Sequence, residues 1–339
     1  MGQAAFVTGL SGLTLTPEEA AFLRTAQPAG LILFARNVDH PDQLRRLIAD
    51  AQTAIGTTVL VLVDQEGGRV QRLRPPHWRE LPSGTHYAAR VAIDANAAIA
   101  EASSIARLVA HDLRDLGITC NCTPVLDVPV SGAHAVIGSR ALGQDVAGII
   151  ALGRALADGL MAGGVLPVMK HIPGHGRATV DTHHDLPTVT ASESELAATD
   201  FAPFKALAYL PAAMTAHVVF SAIDPAATAS TSALVIDRIV RGHIGFSGLL
   251  MSDDLSMQAL RGTLRERAAA VLAAGTDLAL HCNGQMAEME QVASAAPILA
   301  GKAADRYARA MAVTTAQAPF NMAAAESCLQ RVLGVTPTT

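Results

Sequence analysis

The feature that most constrains the fold of this 339-residue chain is a repeated alternation of short apolar segments with helical segments. The apolar segments, such as 58–63 and 165–169, lack polar alternation, which is typical of parallel strands buried on both faces. Seven strand–helix units follow this rhythm, and the N-terminus supplies a possible eighth strand. Their count and the chain length predict an α/β protein, a single (β/α)8 TIM-type barrel of parallel strands that forms one domain over residues 1–339, rather than a doubly wound sheet.

The predicted strands lie near residues 4–8 and at 30–35, 58–63, 118–123, 165–169, 212–216, 248–252 and 277–281. Helices are predicted from a capped start at Thr16-Pro17 and over 41–54, 94–116, 145–162, 192–209 and 232–241, followed by one that reaches Gly275 and a last helical region toward the C-terminus.

Composition excludes several classes of partner. Half of the residues are hydrophobic, and the net charge is −5 with no run of Lys or Arg, which argues against nucleic acid and anionic membranes. Aromatic residues total 4%, so a short ligand is expected rather than a long polysaccharide. Four cysteines without a Cys-x-x-Cys pair predict neither a zinc ribbon nor a disulfide framework. Since no signal peptide or apolar run of membrane-spanning length is found, we expect a cytoplasmic protein.

The densest group of reactive side chains follows the 165–169 strand, where four of the twelve histidines fall between positions 171 and 184. His171 and His175 have the spacing of a helical zinc motif, but a Pro-Gly pair between them disfavours a helix. Asp181 and His183 lie two apart in an extended loop and point the same way. The carboxylate can hold one imidazole nitrogen and leave the other free for proton transfer.

Charged and imidazole side chains also end several predicted strands. These are Asp64, Lys170, His171, His217 and Asp253. In a barrel the C-terminal ends of the strands form one face, where active sites are built, so these side chains are expected to converge on one pocket. A carboxylate at Asp253 and a separate donor on the histidine-rich loop suffice for displacement at an acetal carbon, as in retaining glycosidases. Taken alone, the Asp253-Asp254 pair is also typical of a helix cap.

Other charged residues near these strand ends suit a sugar. Asp64, Arg72, Arg140 and Lys170 offer the charged hydrogen bonds that hydroxyls and an acetamide carbonyl require. An ion-pair lattice at the barrel mouth is the alternative interpretation, and for Glu66 and Arg69 both stay open. Gly67 and Gly68 predict a tight turn.

Four motifs together resemble glycoside hydrolase family 3, in particular its bacterial β-N-acetylhexosaminidase branch. They are DQEGGRVQR at 64–72, KHIPGHG at 170–176, DTHHDLP at 181–187 and SDDLSM at 252–257, with weaker matches at 30–37, 124–128 and 214–217. The similarity therefore extends over most of the chain.

The resemblance implies a retaining exo-β-N-acetylglucosaminidase of peptidoglycan recycling, which releases N-acetylglucosamine from 1,6-anhydro-N-acetylmuramyl muropeptides in the cytoplasm. It implies Asp253 as the nucleophile and His183 as the acid/base, with Asp181 as its partner. The implied substrate-binding residues are Asp64, Arg72, Arg140, Lys170 and His171. No metal or organic cofactor is implied, and the partner is a small-molecule glycoside.

The chain departs from the family pattern in two ways. Many relatives carry a second α/β domain that supplies the acid/base, and this chain is too short for one, so a donor on a barrel loop is expected. Ser139 stands before Arg140 where relatives often have an acidic residue.

Three other functions stay open at this point. One is a substrate-assisted hexosaminidase in which Asp253 and Asp254 orient the acetamide of the sugar and supply the acid. The second is a metal-dependent barrel hydrolase with His171, His175, His183 and Asp253 as ligands. The third is a non-catalytic sugar-binding barrel.

Overall fold

The computed structural model describes residues 2–130, 132, 137–178 and 186–334 and contains a closed barrel of parallel strands. In chain order the strands are β1 (Ala4–Gly9), β2 (Pro28–Leu33), β3 (Leu60–Val63), β4 (Cys120–Asn121), β5 (Leu166–Ile172), β6 (Ala212–Thr215), β7 (Leu249–Asp254) and β8 (Leu278–His281). The first strand pairs with the last, with Val7 opposite Leu280, which closes the sheet on itself. The predicted (β/α)8 fold is confirmed.

Helices surround the barrel. They are α1 (Pro17–Ala26), α2 (Pro41–Ile55), α3 (Gly84–Ile93), α4 (Ala95–Asp115), α5 (Val146–Ala162), α6 (Glu193–Ala198), α7 (Ala202–Ala206), α8 (Leu264–Ala274), α9 (Met286–Ala295), α10 (Gly301–Val313) and α11 (Met322–Val332). The predicted cap of α1 is present. Thr16 Oγ1 accepts a hydrogen bond from Glu19 N at 3.1 Å, and the Glu19 carboxylate accepts one from Thr16 N at 2.9 Å. Within the described ranges, no helix has the length and apolar character needed to cross a bilayer.

Alternate residues of each strand pack on opposite sides of the barrel wall. Leu60 and Leu62 belong to the interior cluster, whereas Val61 and Val63 pack in the cluster formed with the helices. The start of β2 is covered by α10, since the Tyr307 hydroxyl donates to Ala29 O at 2.7 Å. The N-terminal end of the barrel is therefore filled.

The prediction of a single helix at 192–209 is wrong, because this segment forms two helices, α6 and α7. At the break the buried Asp200 carboxylate accepts hydrogen bonds from Arg177 Nε at 2.6 Å and from Thr199 Oγ1 at 2.8 Å. Pro203 then lies in the first turn of α7, the position that proline favours in a new helix. The Asp200 contacts and the proline together divide the segment, because Pro203 has no backbone N–H and would clash with the preceding turn of a continuous helix.

Two further elements differ from the prediction. The 232–241 helix is observed as a π-helical segment, Val235–His243, with Ile244 N donating to Ile239 O at 2.8 Å. Helix α3 was not predicted, although Ser83 caps it by accepting His86 N at 3.3 Å.

The ends of β5 and β7 are irregular. Strand β5 extends past the predicted residue 169, so that Lys170 and His171 are part of it. Its register against β6 shifts between Lys170 and Ile172, and β7 shifts against β8 between Met251 and Asp254. Such irregularities redirect side chains at the rims of barrels.

Candidate active site

A cavity of about 250 Å³ opens at the C-terminal ends of the barrel strands. Of the residues predicted for the site, Asp64, Arg72, Arg140, Lys170, His171 and Asp253 line it. Asp64 follows β3, Lys170 and His171 lie just before the last residue of β5, Ile172, and Asp253 lies just before the last residue of β7, Asp254. Asp181 and His183 lie outside the described residues.

A small hairpin after β3 positions Asp64 and Arg72. Its strands are Gln65–Gly67 and Val70–Gln71, which pair antiparallel. Gly67 and Gly68 have φ values of 104° and 55°, a left-handed conformation that favours glycine, so the predicted tight turn is confirmed. The turn returns the chain so that Arg72 Nη2 lies 2.9 Å from Asp64 Oδ2.

Lys170 joins two carboxylates in the wall of the cavity. Its Nζ lies 2.8 Å from Asp64 Oδ1 and 2.7 Å from Glu66 Oε1. Glu66 also receives a bidentate pair from Arg140, with both N···O distances at 2.8 Å. Because the Lys170 and Glu66 side chains are 3% and 6% exposed, these ion pairs are shielded from water. The ion-pair lattice considered for Glu66 is thus present.

Opposite charges keep this network ionised in spite of burial. Burial opposes the ionisation of Asp64 and Glu66, but Lys170 together with Arg72 or Arg140 holds the pKa of both carboxyl groups below the ordinary range. Burial also opposes the charge of Lys170, yet the two carboxylates raise the pKa of its amine. The cavity therefore presents fixed charged donors and acceptors at neutral pH.

Phe34 adds an apolar face to the cavity and restrains Arg72. The guanidinium carbon of Arg72 lies 5.0 Å from the Phe34 ring centroid, within the range of a cation–π contact. Met214 and Leu280 also line the cavity. Charged groups set among apolar side chains are typical of pockets that orient a small polar ligand.

Asp127 fixes the orientation of His171. The fully buried carboxylate lies 2.7 Å from His171 Nδ1, and it also accepts the backbone N–H groups of His171 at 3.2 Å and His175 at 2.7 Å. Burial opposes its ionisation, but His171 lowers the pKa of Asp127 to about 2. Because an ionised carboxylate only accepts, His171 Nδ1 carries the proton and Nε2 remains for a ligand in the cavity.

His175 packs beside His171, with 5.5 Å between the ring centroids. Burial and the neighbouring His171 lower the pKa of His175 to about 4, so its ring is neutral at neutral pH. The two histidines meet through a turn in which Gly174 N donates to His171 O at 2.7 Å, not through a helix. Among the residues that the structure describes, no three His, Cys, Asp or Glu side chains form a group that could hold a metal ion.

Asp253 lies at the floor of the cavity and is 8% exposed. In the described part of the chain, its carboxylate accepts one hydrogen bond, from Asp254 N at 2.8 Å. Burial opposes ionisation, but His171, His217 and this N–H hold the pKa of Asp253 below its ordinary value. The arrangement provides an ionised carboxylate with an oxygen left for an electrophile, which is what a nucleophile requires.

Asp254 is held by local contacts. Its Oδ1 accepts hydrogen bonds from Ser256 N and Cys282 N, both at 3.1 Å, and its Oδ2 accepts a hydrogen bond from the Ser256 hydroxyl. His217, which was expected to share the pocket, is instead fully buried behind it and donates from Nε2 to Asp254 O at 3.0 Å. Its Nδ1 lies 2.7 Å from Ser230 Oγ. His217 thus supports the backbone of the cavity floor.

Glu66 and Asp127 have contacts in the site that sequence reasoning did not assign. Glu66 lies two residues after Asp64 in an extended segment, so side-chain alternation could have placed both on one side. Asp127 follows β4 in the same way that Asp64 follows β3, and the strand-end rule could have found it. Cys282 directly follows β8, so the same rule could have found it, whereas Met257 reaches the cavity from the loop after β7.

A family profile, curated relatives and solved structures all indicate the same protein family. The profile of the Glycosyl hydrolase family 3 N terminal domain matches residues 4–313. A Pseudomonas aeruginosa (strain LESB58) protein named Beta-hexosaminidase is 39% identical over 284 residues, which is 83% of each chain. The structure of NagZ from Neisseria gonorrhoeae in complex with N-trifluoroacetyl-D-glucosamine has a TM-score of 0.88 at 32% identity and 98% coverage of both chains.

A longer relative shares the same fold. The family 3 β-N-acetylglucosaminidase from Paenibacillus sp. str. FPU-7 has a TM-score of 0.85 at 29% identity, with 97% of this chain covered. This chain spans 66% of that protein. The family profile, the relatives and the closed barrel agree: this chain is a glycoside hydrolase and belongs to glycosyl hydrolase family 3.

Proposed function

We propose that this glycosidase is a retaining exo-β-N-acetylglucosaminidase that removes N-acetylglucosamine from 1,6-anhydro-N-acetylmuramyl muropeptides in peptidoglycan recycling. The observation that carries the proposal is the ionised, buried Asp253 at the floor of a charged cavity of about 250 Å³. The relatives named Beta-hexosaminidase, and the related NagZ that binds an N-acylated glucosamine, support the choice of sugar.

The reaction runs in two displacements. Asp253 attacks the anomeric carbon while the glycosidic C–O bond breaks, and His183, held by Asp181, gives its proton to the leaving oxygen. Water then attacks the same carbon and gives a proton back to His183, and the bond to Asp253 breaks. Two inversions retain the configuration of the sugar. The roles of His183 and Asp181 come from the sequence motif.

The charged wall holds the sugar during both steps. Lys170, Arg72 and Arg140 donate hydrogen bonds to its oxygens, and Asp64 and His171 complete the set. Since these groups are already paired and oriented, they need little reorganisation when charge develops in the transition state. The small volume suits one terminal sugar, which supports exo-cleavage.

The contacts of Asp254 favour direct attack over assistance by the acetamide group of the substrate. A substrate-assisted enzyme needs a carboxylate that is free to orient the acetamide. Both Asp254 oxygens are bonded to Ser256, and one also accepts Cys282 N. This occupation supports Asp253 as the attacking group.

We also propose that residues 1–339 act as one catalytic domain in the cytoplasm, without a cofactor. All four cysteines are free thiols, which suits a reducing compartment. The net charge of −5 supports a small-molecule glycoside, rather than nucleic acid or an anionic membrane, as the partner.

Steady-state kinetics on aryl glycosides test this function. We expect the β-N-acetylglucosaminide to be hydrolysed and the matching β-glucoside to be a much poorer substrate. Asp253→Ala should lower kcat by on the order of 10⁴-fold, because the covalent step is lost. Unchanged circular dichroism would show that the variant is folded. Equal turnover of both glycosides, or activity retained in folded Asp253→Ala, would contradict the proposal.

A further inference from the structure

A second cavity, of about 580 Å³, opens on the same face of the barrel as the catalytic cavity. It is formed by segments that follow β5, β6 and β7, which are neighbours in the barrel. Its lining includes Leu186 and Thr188 after β5, Val219 and Thr231 after β6, and Ala259 and Arg261 after β7. Met257 of the catalytic cavity lies two residues before Ala259, so the two cavities share the loop after β7.

The lining combines apolar side chains and hydroxyl groups with positive charge. The ionisable residues among its described lining are two arginines, Arg261 and Arg267, and no Asp or Glu is among them. Arg267 is fixed by the loop, because its Nη1 donates to Leu255 O at 2.8 Å and to Met257 O at 3.0 Å. Arg261 is exposed at the cavity. In a protein with a net charge of −5, this site is complementary to an anionic ligand with apolar parts.

The second cavity lies beside the catalytic cavity, on the other side of the loop after β7. A substrate whose terminal sugar fills the catalytic cavity can therefore extend past this loop into the second cavity. A volume of about 580 Å³ lies within the range of pockets that take small organic ligands.

We infer that this second cavity binds an acidic peptide carried by the aglycone, with a peptide carboxylate paired to Arg261 and apolar peptide groups against Pro225 and Ala226. The inference rests on the proposed function, since it names the part of the muropeptide that is recognised beyond the sugar. It predicts that the peptide contributes to substrate selection.

Three substrates separate this role from the hydrolysis itself: an aryl β-N-acetylglucosaminide, the disaccharide N-acetylglucosaminyl-1,6-anhydro-N-acetylmuramic acid, and that disaccharide with an acidic tripeptide. Arg261→Gln should lower kcat/KM for the peptide-bearing substrate by about tenfold, because one charge-assisted hydrogen bond is lost. The other two substrates should change less than about twofold, since neither carries the peptide. Arg265→Gln is the matched control, because Arg265 is exposed on α8 and does not line the cavity.

A second variant tests the volume instead of the charge. Ala270 is exposed on α8 and lines the cavity, so Ala270→Trp fills it. This variant should raise KM for the peptide-bearing substrate and leave the aryl glycoside unaffected. If aryl turnover persists while neither variant alters the peptide-bearing substrate, or if Arg265→Gln has the same effect as Arg261→Gln, the inference is overturned and the proposed function stands. Failure to hydrolyse any N-acetylglucosaminide overturns both.

Discussion

Lys170 controls the electrostatics of the catalytic cavity because it is shared by Asp64 and Glu66. Lys170→Met removes the charge and leaves two buried carboxylates close to each other. Breaking a buried ion pair on one side costs about 3–5 kcal/mol, so we expect the free energy of unfolding to fall by about that amount. Urea unfolding at neutral pH measures it.

An exposed ion pair provides the control for that measurement. Arg238 and Glu193 form a bidentate pair with side chains 46% and 43% exposed. Arg238→Met should cost less than about 1 kcal/mol, because water replaces the lost contact. Similar losses for Lys170→Met and Arg238→Met would show that the cavity network does not depend on burial.

His183 is expected to protonate the leaving group, so the loss of rate on its removal should depend on how good the leaving group is. His183→Ala should slow a substrate with a poor leaving group by roughly 10²-fold or more, the range of general acid catalysis. An activated aryl glycoside needs little protonation and should be slowed far less. The ratio of kcat/KM values for the two substrates measures the difference. Equal slowing would argue against His183 as the donor.

At this scale the sequence predicts a residue when its position follows from its own strand. Asp64, Lys170, His171 and Asp253 could be placed at one face because each ends a strand. Their partners could not, because the Asp127–His171 contact spans 44 residues and the Glu66–Arg140 pair spans 74. Which side chains pair across such distances depends on the conformations of the loops at the barrel mouth, which no local pattern encodes.

At the scale of elements, helix α3 reaches the active site through its first residue. A Cβ added to Gly84 would lie 2.2 Å from Arg140 O and 2.7 Å from Ala141 O, so the backbone that carries Arg140 would have to move. We expect Gly84→Ala to destabilise the protein by about 1–3 kcal/mol, the usual cost of overpacking. Because the Arg140–Glu66 pair would shift, KM for N-acetylglucosaminides should rise as well.

Gly12 is the control for this substitution, because a Cβ there would meet no atom within 4 Å. Gly12→Ala should change stability by less than about 0.5 kcal/mol and leave KM unchanged. Thermal unfolding and initial-rate kinetics on both variants make the comparison. If Gly84→Ala behaves like Gly12→Ala, α3 does not position Arg140.

Local sequence signals predicted most elements but missed breaks that arise from tertiary contacts. Caps such as Thr16–Glu19 act within one turn, so α1 could be placed from the sequence. The break between α6 and α7 has a local signal in Pro203, which the helical prediction passed over, and a tertiary part in the Arg177–Asp200 ion pair, which joins residues 23 positions apart. The extension of β5 through Ile172 likewise depends on pairing with β6.

For the whole molecule, the barrel could be predicted because its strands are buried on both faces. Apolar runs without alternation are needed when one side packs in the interior and the other against helices, as Leu62 and Val63 do. The cavities could not be predicted in the same way. Their shape depends on loops whose conformations are set by many weak contacts.

The buried His175 should make the stability of the whole protein depend on pH. Its pKa is about 4 in the folded protein and 6.5 ordinarily, so below pH 6.5 the unfolded chain takes up a proton that the folded one does not. Stability is therefore lost as pH falls between 6.5 and 4. From pH 7 to 5 this group accounts for about 2 kcal/mol.

Urea unfolding at pH 7 and pH 5 tests this dependence. His175→Gln removes the titrating ring and keeps a polar side chain, so it should lose about 2 kcal/mol less than the parent protein over the same interval. An unchanged dependence in His175→Gln would contradict the assignment.

The most direct test of the catalytic proposal is to trap the bond between Asp253 and the sugar. The enzyme would be incubated with a 2-deoxy-2-fluoro glycoside that carries a good leaving group, and its intact mass and proteolytic peptides would then be measured. We predict a mass increase of one fluorosugar per chain, located on the peptide that contains Asp253. Strong inhibition by a sugar thiazoline without any adduct, or an adduct on another residue, would contradict it.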